Sequence, residues 1–123
     1  MELLTLVGAL IVVVWGTIHL FPTRNVVNGF GDTSLDNKRV ITMEWLFEGI
    51  TLIFVGALVI LVTLFGHAAD ASNRVVYWSA AGMLIVMAVI SAQTGGKVNF
   101  IFFRLCAPLF TLAAVLIALG TLL

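Results

Sequence analysis

Charge is what this chain has least of. Of 123 residues, six are Lys or Arg and six are Asp or Glu, giving a formal net charge of zero. With no basic stripe to follow a phosphate backbone, a nucleic-acid partner is excluded. Cysteine is nearly absent too. Cys106 stands alone in an apolar run, so no internal disulfide can form and its reading is structural. The chain also lacks a Ser/His/Asp set, an HExxH pair, a phosphate-binding glycine loop and the Glu-x-x-His pair of a carboxylate-bridged di-iron bundle. Asp32 and Asp36 sit in a Gly/Asn-rich stretch and read as turn and cap residues, so no metal ligands are assigned.

Apolar residues fill the space that charge leaves. They make up 62% of the chain, and the mean hydropathy is +1.20. A soluble domain runs near half apolar and a quarter charged, which places this chain among membrane proteins. Four continuous runs are long enough to cross a bilayer at 1.5 Å per residue: residues 3–22, 40–66, 75–95 and 100–122. Lipid cannot satisfy an open backbone, so each is expected as a helix. The fold class is therefore all-α, a four-helix transmembrane bundle forming one domain over residues 1–123. The first run starts at Met1-Glu2 without a basic flank and reaches Pro22 without an evident cleavage site. It is expected as a retained helix rather than a signal peptide. The one long connection, residues 23–38, holds Asn28, Gly29, Gly31 and Asn37 and is expected as a loop. Thr33 and Asp36 suggest a capping box, with the second membrane helix starting near Ser34.

Basic residues set an expected orientation. Arg24, Lys38, Arg39 and Lys97 lie in the connections after the first and third spans, with Arg104 just inside the fourth; Arg74 alone falls on the other side. This asymmetry places residues 23–39 and 96–99 in the cytoplasm and both termini outside. Tyr77, Trp78 and Phe21 fit interfacial aromatic belts.

The polar residues within the spans then gather at one end. His19 closes the first span, Glu44 and Glu48 open the second, Gln93 ends the third and Arg104 begins the fourth. His67 falls at the opposite end from His19, so the two cannot clamp one haem. Ionisable groups at membrane depth are costly and mark functional sites by default. Glu48 lies about 12 Å from the inner end of its apolar stretch by helical rise, too deep for easy snorkelling. Helical phase predicts inward stripes of Gly8, Val12, Trp15 and His19; of Glu44, Glu48, Thr51 and Val55; of Gly82, Val86, Val89 and Gln93; and of Arg104, Pro108, Thr111 and Ala118. Two carboxylates one helical turn apart repel in a low dielectric. The expectation is one Glu paired with Arg104 and the other sharing a proton with His19. Pro108 removes a backbone donor opposite the Arg104 carbonyl and suggests a wet pocket at that level.

Residues 44–56, an acidic helix start with Gly49 and Gly56 seven residues apart, resemble the second helix of DoxX-like membrane proteins. The segment from Gly16 to Pro22 and the four-span layout are similar as well. His19 stands where that group often carries a basic residue, and no cysteine pair suggests redox chemistry. The resemblance implies a four-helix bundle in the bacterial inner membrane, in a group where some members are described as quinone-linked oxidoreductase subunits. It assigns neither a reaction nor a cofactor.

Two functions follow. In the first, a small lipophilic or amphipathic ligand, such as a quinone, a sterol-like molecule or a lipid head group, binds from the inner leaflet. His19 and Glu48 exchange protons, Glu44 and Arg104 orient, Trp15 and Trp45 wall the site, and Gln93 lies among its ligand-binding residues. In the second, the polar cluster only locks the bundle: Glu44 and Arg104 snorkel to head groups, His19 caps its helix, and Gly49 and Gly56 offer a surface to a homo-oligomer or another membrane protein.

Overall fold

The computed structural model describes residues 2–67 and 69–123, so the Met1 flank lies outside the described residues. The elements are α1 (Glu2–Leu20), α2 (Thr23–Asn28), α3 (Leu35–Phe65), α4 (Ala71–Gln93) and α5 (Ile101–Leu122), with a 3-10 turn at Gly95–Lys97. Among the described residues there is no strand. The helices α1, α3, α4 and α5 are each long and apolar enough to cross a membrane.

Helix α3 starts where the sequence places it, next to Ser34, and two other boundaries differ from expectation. Helix α3 starts at Leu35, ahead of the apolar run, because the Asn37 N–H donates to Ser34 Oγ at 3.1 Å. The cap is Ser34 itself; Thr33 instead accepts from the Asn37 side chain at 3.0 Å. Residues 23–28 form helix α2 rather than loop. Pro22 at its N-cap position has no N–H to leave unpaired, Gly29 ends it, and Val27 is buried beneath it. Helix α4 starts at Ala71, four residues earlier than the apolar run suggests.

Helix α1 lies between α3 and α5, and α4 packs on the far side of α5. The edge helices α3 and α4 touch only sparingly. What joins them lies at their shared hairpin. Thr63 Oγ1 donates to the Val59 carbonyl at 2.7 Å, so the Tyr77 hydroxyl is the donor in the 3.0 Å bond to Thr63. Asn73 Nδ2 donates to the carbonyls of His67 at 2.9 Å and Val62 at 3.5 Å. Tyr77 is therefore buried inside the bundle and is not part of an interfacial belt, whereas Trp78 and Phe21 are exposed.

Glycines set how closely α1 and α3 approach. A Cβ on Gly16 would meet the Gly49 carbonyl at 2.8 Å, and one on Gly56 would meet the Ala9 carbonyl at 2.7 Å. The two contacts run in opposite directions along the helices, so α1 and α3 are antiparallel with their backbones nearly touching. In lipid, where apolar burial does not separate helix from tail, such small-residue seams hold helices together. Gly49 and Gly56 thus pack on α1 and are not free for a partner. Gly82 has nothing within 4 Å of its Cβ position and gives no close approach.

The inward stripe expected for α1 is buried throughout: Gly8, Val12, Trp15 and His19. Those of α4 and α5 are rotated. The buried face of α4 is Tyr77, Ala80, Ala81, Leu84 and Ala88, and that of α5 is Cys106, Phe110, Ala113, Ala114, Ile117 and Gly120. On α3 the buried face carries Trp45, Gly49, Leu52 and Val55, which leaves Glu44 and Thr51 exposed at its margin. Small residues, rather than polar ones, mark the inward faces.

Gly16→Ala places its Cβ against backbone that cannot step aside, and should destabilise the bundle by about 1–3 kcal/mol. Gly82→Ala should leave the melting temperature in detergent unchanged or raised, since alanine favours helix and meets no neighbour.

Candidate functional site

The site begins where α1 stops. Its last turn is interrupted by Pro22, and carbonyls at a helix end need partners from elsewhere. Trp45 of α3 supplies one: its indole N–H donates to the His19 carbonyl at 2.8 Å, a buried bond between helices. The same indole lies flat on the His19 ring, with centroids 3.7 Å apart and planes 18° from parallel. Trp45 thereby fixes both the backbone and the imidazole of His19, which is 4% exposed.

The imidazole is directed at a carboxylate. His19 Nε2 lies 3.4 Å from Glu48 Oε2, and the contact is an ion pair only when the ring is protonated. Nε2 makes no hydrogen bond, although it is buried. A buried polar atom left without a bond is costly and marks a place where something else belongs.

Two cavities open on this pair and a third adjoins them. The first, about 350 Å³, is walled by His19, Glu48, Met87, Ile90, Ser91, Thr94, Phe103 and Cys106. The second, about 540 Å³, shares Glu48, Met87 and Phe103 and adds Glu44, Trp45, Phe47 and Thr51. The third, about 770 Å³, lies under α2 and is lined by Pro22, Val26, Phe30, Val98, Phe100, Phe102 and Phe103. Phe103 borders all three and meets Trp45 edge-on at 5.6 Å. The first two draw walls from both α3 and α4, at the end where those helices stand apart.

The structure brings together His19, Trp45, Glu48 and, on the neighbouring wall, Glu44. Trp15 sits one turn back on the same face of α1, stacked on Phe102 at 5.6 Å, with its own Nε1 buried and unbonded. It borders an apolar groove with Leu10 and Leu109 rather than the cavities around Glu48. Gln93 and Arg104 are exposed and wall none of these cavities. The expected Glu–Arg104 pair is not formed: among the described residues Arg104 has no ion-pair partner. The cause is the rotated phase of α4 and α5, which turns both side chains outward. Pro108 is exposed and walls none of the cavities. Among the described residues no three His, Cys, Asp or Glu side chains gather to hold a metal ion.

The residues that sequence reasoning passed over are Met87 and Phe103. Met87 carries no signal within an apolar run, while Ser91, two residues before Gln93, lies with the polar end of the third span. Phe103 had a signal: Phe100, Phe102 and Phe103 form an aromatic cluster at the start of α5.

Trp45→Phe keeps an aromatic face for His19 but removes the N–H, leaving the His19 carbonyl unpaired. A loss of about 0.5–1.5 kcal/mol is expected, read as a lowered melting temperature.

No family model, no curated protein and no solved structure matches the chain.

Proposed function

We propose that this is an integral membrane protein that binds a small lipophilic or amphipathic ligand in the cleft between α3 and α4, with His19 and Glu48 as the polar end of the site. The observation that carries this reading is the unbonded Nε2 of buried His19, held 3.4 Å from the Glu48 carboxylate at the wall of a cavity. A purely structural cluster would satisfy its buried polar atoms, as the Tyr77 and Thr63 hydroxyls satisfy each other. A His and a carboxylate in contact are also suited to proton exchange near neutral pH. The accessory-subunit reading relied on a free surface at Gly49 and Gly56, which α1 occupies. No reaction is assigned.

Membership of the DoxX-like group and residence in a bacterial inner membrane belong to the same proposal. They rest on the four-span layout and on the 44–56 motif. The polar end faces the cytoplasm in this reading, supported by Arg24, Lys38, Arg39 and Lys97 at that end against Arg74 at the other.

Two measurements test it. Glu48→Gln should retain the parent's melting temperature and lose the small molecule seen by native mass spectrometry after gentle extraction. A variant that keeps the same ligand across pH removes Glu48 from the site. For orientation, Lys97→Cys and Ser72→Cys are compared in a Cys106→Ala background. An impermeant maleimide should label position 72 in intact spheroplasts and position 97 only after lysis; the reverse pattern inverts the topology.

A further inference from the structure

We infer that the ligand of this cleft is a lipophilic organic cation, a hydrophobic amine or quaternary onium ion. The inference rests on the ligand-site reading above and concerns the chemical class of the occupant. Glu44 and Glu48 lie one helical turn apart and share a cavity wall, and no Lys or Arg lines any of the three cavities. Glu44 has no ion-pair partner among the described residues, and Glu48 has only His19. Two carboxylates in a membrane cleft without a fixed counter-charge disfavour an anion and gain little from a neutral molecule. A cation offsets their desolvation. The rest of the wall suits the body of such a ligand: Phe47, Phe103 and the Met87 thioether are polarisable, and aromatic faces attract onium ions. The separation of α3 from α4 at this end gives access from the lipid, where lipophilic cations collect.

The groups that face the cation are His19 from α1, Glu44 and Glu48 from α3 and the Cys106 thiol from α5; helix α4 contributes only Met87, Ile90, Ser91 and Thr94, and Arg104 is turned away.

The test uses purified protein in nanodiscs of neutral lipid with three probes of similar size: tetraphenylphosphonium, tetraphenylborate and neutral triphenylphosphine oxide. Binding is followed by tryptophan fluorescence and calorimetry. The phosphonium should bind saturably, at least about tenfold more tightly than either other probe. Glu48→Gln should weaken it about tenfold; Glu44→Gln, at an exposed position, should weaken it by about threefold. Met87→Trp, which fills the cleft without changing charge, should abolish it. If the oxide or borate binds as tightly as the phosphonium and Met87→Trp blocks it, the cation class is overturned and the ligand cleft stands. If none of the probes binds and native mass spectra show no small molecule, both readings fall. Phosphonium binding unchanged in both Gln variants also overturns the inference.

Discussion

The approach of α1 to α3 governs everything that the polar end of this protein can do. Helices in lipid gain nothing from hiding one apolar surface rather than another, so what holds two of them together is how closely their backbones come. Here Gly16, Gly49 and Gly56 bring carbonyl of one helix to Cα of the other. At that distance the Trp45 indole reaches the His19 carbonyl, lies on the imidazole and leaves Nε2 facing Glu48. A side chain at Gly16 or Gly56 would meet backbone, push the helices apart and break this set of contacts together, whereas one at Gly49 would first displace the Leu20 side chain. The seam and the site are one construction.

The other half of the bundle is built on a different principle. Helices α4 and α5 present alanines inward, at Ala80, Ala81, Ala88, Ala113 and Ala114, around larger plugs at Tyr77, Leu84 and Phe110. This pair is joined to α1 through α5 and to α3 through the Tyr77–Thr63 bond and the Asn73 cap near the hairpin. The result is closed at the hairpin end and parted at the end that carries His19, Glu44 and Glu48. The carboxylates and the cavities coincide at the parted end, while the closed end is tied by neutral polar groups bonded to one another and to backbone.

Much of this was legible in the sequence, and the part that was not has a physical cause. Continuous apolar runs revealed the four long helices, since length and hydropathy alone decide what can span a bilayer. The face of α1 was readable because Gly8, Trp15 and His19 are distinctive and fall on one side. The proximity of His19 and Glu48 followed from their depths. The faces of α4 and α5 were misjudged at Gln93 and Arg104. In a soluble helix the polar side faces water and the phase is plain, but in these spans both sides are apolar. Polar residues were then taken as pointing inward, when the alanine rows carried the phase. Helix α2 was hidden by the Gly and Asn residues that follow it, and the cavities around Phe103 and Met87 depend on packing between helices that no single run records.

The pin between Tyr77 and Thr63 has a mechanical meaning. Along α3, Thr63 stands 15 residues from Glu48, a lever arm of about 22 Å at helical rise. A tilt of about 5° over that arm is a displacement of about 2 Å at the far end, roughly the van der Waals radius of a methyl group. The Tyr77–Thr63 pair thus ties α3 to α4 at a level that the lining of the cleft does not reach.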